Sequence, residues 1–156
     1  MSTASTQPLA RAYESLRPRI LQRLLDLRST VDPSSLGRLD DTTARTQIGA
    51  VLDHLGNFIA TGDLGLHRAF LHTFMAMRAA EAQSPASVLA MLVAIGDTAA
   101  QVAQEEGAGT SEGAELTLLL TRVTATTARA VNDLIAEELE RRNVAKRELK
   151  GGKVPS

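Results

Sequence analysis

Apolar residues along this chain recur at three- and four-residue intervals, the spacing of one helix face, and nowhere alternate as in a strand. Leu9, Tyr13 and Leu16 open the first such face after Pro8, a residue that suits the first turn of a helix because its missing N–H would be unpaired there. Pro18 interrupts, and Ile20, Leu21, Leu24, Leu25 and Leu27 continue as a Leu-rich segment that is either kinked or restarted at the proline. Asp32-Pro33-Ser34-Ser35 with Gly37 reads as a loop. Asp40 or Asp41 is an N-cap for a helix striped by Ile48, Val51 or Leu52, Leu55, Phe58 and Ile59 and ended by Gly62. Asp63 caps the next helix, whose expected apolar face is Leu66, Phe70, Phe74 and Met77. Ser84-Pro85, an N-cap followed by proline at the first helical position, starts another, carrying Val88, Leu89, Leu92, Val93 and Ile95 to about Gln104 or Glu106. Gly107-Ala108-Gly109 breaks it. The last helix starts near Thr110 or Ser111 and reaches about Arg147.

These elements predict an all-α bundle of five to six helices with a long C-terminal helix. The expected limits are a disordered N-terminus over 1–7, a helical domain over 8–147 and a flexible basic tail over 148–156. A chain of 156 residues suits one domain. From Ser111 to Arg147 the last helix would be about 55 Å long, well beyond the ~15 Å radius of gyration of such a domain. A helix that overhangs its own bundle is expected to pair with a second copy. Leu116, Leu120, Val123, Leu134 and Ile135 are the expected dimer interface, with Leu139 and Val144 as isolated apolar sites in its charged part.

Charge sharpens this picture. The formal net charge is −1, but it divides into +3 over residues 1–28, −9 over 29–140 and +5 over 141–156, with every Lys at 146 or beyond. A basic tail on an acidic body is either a solvated terminus or a steering element for a partner. The chain has no Cys, which removes disulfides and thiolate chemistry. Met1 to Gln7 lacks the apolar core of a secretory signal, and no uninterrupted apolar run approaches the ~20 residues of a membrane span. A cytoplasmic protein without a membrane span is expected.

The residue types that carry chemistry are sparse. His67 and His72 are five apart and do not share a helix face, and no His-Glu-x-x-His or ligand-spaced carboxylate cluster is present, so His54, His67 and His72 read as surface or partly buried structural residues. No metal, cofactor or catalytic residue is expected. Asp97, within an apolar run, fits a rim position. Arg78 and Glu81 fit an ion pair along the helix or a cap at its end. Thr117, Thr121 and Thr124 step along one face, as hydroxyls that bond back to the preceding turn or as a regulatory strip. Phosphate loops, nucleophile elbows and basic helices with aromatic platforms are absent, which speaks against nucleic acid as a partner.

The Leu-rich first helix from Ile20 to Leu27, the capped helix ending at Gly62-Asp63, and the stretch Arg78-Ala79-Ala80-Glu81-Ala82-Gln83-Ser84-Pro85-Ala86-Ser87-Val88-Leu89 together resemble the N-terminal domain of RsbR-type proteins, the co-antagonists of the RsbT kinase in bacterial stressosomes. The resemblance covers about residues 16–140. It implies a globin-like fold without haem, a homodimer with the last helix along its axis, and signal output through that helix. In that family the helix leads to a STAS or other output domain, for which these 156 residues leave no segment. The resulting expectation is a non-enzymatic, stand-alone sensor or adaptor acting on an unidentified protein partner. The alternative is a globin-like sensor of haem, for which one axial His suffices, or of another small ligand.

Overall fold

The computed structural model describes residues 3–28 and 39–152, and within them the chain forms five α-helices and no strand. They are α1 (Thr3–Leu27), α2 (Asp41–Thr61), α3 (Leu64–Ala80), α4 (Pro85–Glu106) and α5 (Ser111–Gly152). The all-α bundle with a long C-terminal helix is therefore observed. The segment expected as the Asp32–Gly37 loop lies outside the described residues.

Local chemistry sets most of the helix ends. Asp40 adopts extended backbone and accepts from the Thr43 N–H at 2.7 Å, pairing a donor that the first turn leaves free. Gly62 closes α2 at φ 64°, a left-handed conformation that costs glycine nothing. Asp63 caps α3 through the Leu66 N–H at 3.1 Å, and Ser84 caps α4 through Ser87 N–H at 3.1 Å, ahead of Pro85. Thr110 Oγ1 accepts from Gly113 N–H at 3.0 Å and starts α5.

Two ends differ from expectation. Helix α1 begins at Thr3, upstream of Pro8, so the expected disordered segment 1–7 is helical where it is described. Pro8 forfeits only the bond to the Ala4 carbonyl, a small loss near a helix start. Pro18 likewise lies inside one continuous helix. The packing on both sides of it holds the helix together: Tyr13, Ile20 and Leu24 are buried, and the Tyr13 hydroxyl donates to the Leu52 carbonyl at 2.5 Å. At the other end α5 runs five residues past Arg147 to Gly152, so the start of the expected tail is helical too.

α4 and α5 form the centre of the bundle, and small residues allow their approach. A Cβ on Gly96 would run into the Thr124 side chain, and at the α4–α5 turn a Cβ on Gly107 or Gly113 would meet the other glycine's backbone. Val88, Met91, Leu92, Ile95, Ala99, Val102 and Ala103 of α4 are buried. By length and composition α4 is apolar enough to cross a membrane, with a hydropathy of 1.6 over its best window. In this fold α4 is the core helix, buried along 56% of that window.

Ion pairs pin α1 to its neighbours. Arg17 reaches Asp53 at 2.8 Å and the Gly49 carbonyl at 3.2 Å on α2, Arg23 reaches Glu105 at 2.7 Å on α4, and Arg19 pairs with Glu106. The exposed pairs contribute little each. Asp97 faces solvent, as its rim placement anticipates.

The α3–α4 turn is a Schellman motif with an unusual residue in its key position. Gln83 N–H bonds to the Arg78 carbonyl at 3.0 Å, and Ala82 N–H to the Ala79 carbonyl at 3.0 Å. Ala82 occupies the left-handed position, at φ 62°, where most helices place Gly. An L-residue with a Cβ pays roughly 1–2 kcal/mol there. Ala82→Gly is expected to raise unfolding stability by about 1 kcal/mol, glycine's greater unfolded-state freedom offsetting part of the gain. Urea denaturation of the two proteins measures it, and an unchanged or lower midpoint would refute this account of the turn.

Candidate functional site

The turn at Gly62-Asp63 is only two residues long, so α2 and α3 fold back on one another and bring residues 54 and 67 to the same level. His54 Nε2 and His67 Nδ1 are 2.6 Å apart. The ring planes are within 9° of parallel with centroids 4.9 Å apart. That separation is the nitrogen–nitrogen distance plus one ring radius at each end, so the imidazoles meet head-on, edge to edge, rather than face to face. On its far side His67 Nε2 lies 3.0 Å from Thr127 Oγ1 on α5. The three side chains form one hydrogen-bonded line across α2, α3 and α5.

Two proton arrangements satisfy this line. His54 Nε2–H donates to His67 Nδ1 while His67 Nε2–H donates to Thr127, or Thr127 O–H donates to His67 Nε2 while His67 Nδ1–H donates to His54. The first needs a neutral His67, and the second needs both rings neutral. Burial supplies that condition, lowering the pKa of His54 to about 4, with the neighbouring His67 adding to the effect, and lowering that of His67 as well. Phe70 stacks on His54 with centroids 4.0 Å apart, and Phe58 tilts against His67.

His67 is 2% exposed and Thr127 is buried. The cavity beside them, bounded by His54, Phe70, Leu92, Gly96, Thr124 and Thr127 among others, has a volume of about 10 Å³, enough for one water. A hydroxyl, an imidazole acting on it and a second imidazole orienting the first resemble a nucleophile assembly, but the cavity that Thr127 lines is too small for a substrate; a separate groove of about 270 Å³, lined by Arg68, Thr126, Arg129 and Asp133 among others, reaches His67. Haem does not fit this cavity as it stands. Among the described residues no group of three or more His, Asp or Glu is placed to hold a metal ion.

A second buried polar group lies at the other end of α3. Arg78 is buried, 3.3 Å from Glu81 and with its guanidinium 5.0 Å from the Phe74 ring centre. Gln47 Nε2 donates to Glu81 at 3.4 Å. The expected Arg78–Glu81 pair therefore forms, with Arg78 inside rather than at the surface.

The face that α3 buries differs from the one expected. His67, Leu71, Phe74 and Arg78 are inside. Of the expected stripe only Phe74 is buried; Phe70 is half-buried, and Leu66 and Met77 are 58% and 54% exposed. Of the polar members of the inner stripe, His67 is satisfied in the histidine line, while Arg78 pairs with Glu81 through one guanidinium nitrogen and keeps a buried Nε without a hydrogen-bond partner. His72 is exposed and takes no part in that line. The sequence signal for the histidine pair was the place of His67 on the stripe 67, 71, 74, 78, visible only once that stripe is known to face inward.

On α5 the residues expected at a dimer interface divide. Leu116, Leu120 and Val123 are 1%, 1% and 2% exposed, covered by the protomer's own helices, so they offer no surface to a second chain in this fold. Leu134 and Ile135 are half-buried against the same core. The hydroxyls of Thr117, Thr121 and Thr124 donate to the carbonyls of Gly113, Thr117 and Leu120, the ordinary behaviour of threonine in a helix.

No family model, curated protein or solved structure matches this chain.

The lowered histidine pKa values predict an acid-sensitive bundle. The unfolded chain binds protons near pH 6.5 that the folded one refuses until about pH 4, so the contribution to stability is complete above pH 6.5 and shrinks as pH falls toward 4. With His54 only half-buried, the loss is on the order of 2 kcal/mol. His54→Phe, which keeps a ring against Phe70, should flatten the fall in urea-unfolding free energy between pH 6.5 and 5. Parallel pH profiles for the two proteins would show that the pair does not titrate as described.

Proposed function

We propose that this chain is a non-enzymatic bacterial signalling module, a cytoplasmic sensor or adaptor that self-associates and acts on a protein partner. The observation that carries this reading is the end of α5. From Ala136 to Gly151 every residue is exposed, and Leu139, Val144 and Leu149 present 55%, 40% and 67% of their surface to solvent. A helix that leaves its bundle for several turns contributes nothing to the core. Its exposed leucines and basic residues suit contact with another protein. The resemblance of residues 16–140 to RsbR-type N-terminal domains supports the same reading, since that family passes its signal through the last helix, and the globin-like arrangement of the bundle belongs to this proposal.

A chain ending at Ala136 tests it, because the cut falls beyond Leu134 and Ile135 and leaves the core intact. Its denaturation midpoint should equal that of the full chain. In pull-downs from the native cell the full chain should capture proteins that the shortened one loses. Identical capture by both would remove α5 as the output element.

A haem or small-ligand sensor is the second reading, favoured by a histidine pair, one ring buried and one half-buried, among three phenylalanines. The 10 Å³ cavity weighs against it. The purified protein is expected to be colourless and to remain without a Soret band on haem titration. A band that disappears on replacing His54 or His67 would establish the second reading in place of the first.

A further inference from the structure

Helices α3 and α5 touch where His67 bonds to Thr127 and leave a groove between them on the solvent side. It has two adjoining halves. One, of about 270 Å³, lies against His67 and is edged by Leu64, Arg68, Thr126, Arg129 and Asp133. The other, of about 300 Å³, continues past His72, Leu134 and Glu137. Arg68, Ala130 and Asp133 belong to both halves. Ala130 carries only a methyl group, so α5 does not fill the space where the two halves meet. Each half is close to the lower limit of ligand pockets, about 300 Å³.

The charges around this groove behave unlike those between other helices. Where α1 brings an arginine to an acid on α2 or α4, the two close into an ion pair: Arg17 with Asp53, Arg19 with Glu106, Arg23 with Glu105. Here they stay apart. Arg68 of α3 and Arg129, Asp133 and Glu137 of α5 edge the groove, and none of the four makes an ion pair or a side-chain hydrogen bond among the described residues. Asp133 and Glu137 lie one turn apart on α5, a like-charge pair that a bare helix disfavours and that a cation beside them relieves. Two cations and two carboxylates therefore surround one open space without satisfying each other.

We propose that the groove binds a small zwitterion, a carboxylate and a primary amine joined by a short methylene chain. Arg68 and Arg129, one from each wall, take the carboxylate, for which guanidinium groups are the matching donors. Asp133, with Glu137 one turn further on, takes the ammonium, and the methylenes lie over Ala130. From Arg129 to Asp133 the helix rises about 6 Å, the reach of an amine and a carboxylate separated by four methylenes. A ligand with only one of these charges meets a like charge in the same groove, so the site selects for both together. The proposal rests on the reading of the chain as a signalling module and supplies the chemistry of its signal. A ligand bridging α3 and α5 acts on the helix whose far end is free to meet a partner.

Amide NMR of the full chain, titrated with 5-aminopentanoate to about 20 mM, tests it. Amides of residues 64–72 and 126–137 should shift along one saturable curve. Pentanoate and pentylamine, each carrying one of the two charges, should bind at least about tenfold more weakly. Arg68→Gln and Asp133→Asn should each weaken 5-aminopentanoate by at least about tenfold. Both fall on exposed sites, so the urea midpoint should not move. Glu115→Gln, exposed on α5 away from the groove, should leave the titration as it is. No saturable shift, pentanoate binding as well as the zwitterion, or a curve untouched by either groove substitution would overturn the proposal. None of these results bears on the capture of proteins by the end of α5, so the signalling-module reading stands or falls separately.

Discussion

The close approach of α4 and α5 is the constraint on which the rest of this structure depends. Gly96 leaves room for the Thr124 side chain, and Gly107 and Gly113 let the connecting turn close on itself. Around that hairpin the core falls into place: Ile95, Ala99, Val102 and Ala103 from one side, Leu116, Leu120 and Val123 from the other, with Tyr13, Ile20 and Leu24 of α1 and Ile48, Leu52 and Leu55 of α2 packed upon them. Interiors are packed to the density of organic crystals, so one added methyl at Gly96 would have to move a helix. The same approach puts Thr127 one turn beyond Thr124, facing His67.

Polar groups inside this core are few and arranged in lines. The His54–His67–Thr127 line ties three helices with two hydrogen bonds, and burial disfavours a charge on either imidazole. At the far end of α3, Arg78 is kept inside by Glu81 and by the face of Phe74. A buried polar group without partners is costly, so these two arrangements fix which way α3 is rotated about its own axis. That rotation places one apolar stripe inside and leaves the other outside. The exposed face of α3 is thus a consequence of how its polar residues are satisfied, not an accident of composition.

The overhang of α5 follows from a different balance. Up to Ile135 the helix is held by the hydrophobic core. Beyond it, pairs such as Arg141 and Arg142 with Glu138 keep it regular, each adding only tenths of a kcal/mol. A segment held so lightly is suited to exchanging solvent for another protein.

By itself the sequence determined where the helices begin and end in its middle part. Asp40, Gly62, Asp63, Ser84-Pro85 and Gly107 act on their own neighbouring backbone groups, and that chemistry needs no tertiary context. It also offered the bonding of Thr117, Thr121 and Thr124 to their own helix as one of two readings, and the structure shows that one. The start of α1 and the passage through Pro18 were not legible, because packing on Tyr13, Ile20 and Leu24 outweighs a missing hydrogen bond. The phase of α3 was not legible either. Its residues carry two apolar stripes of nearly equal weight, and periodicity cannot choose between Leu66–Met77 and Leu71–Phe74. Only the meeting of His67 with His54, 13 residues away, and with Thr127, 60 residues away, decided which stripe turned inward. The same holds for Leu116, Leu120 and Val123: helix length marked them as surplus to one chain, and the tertiary approach of α4 covered them.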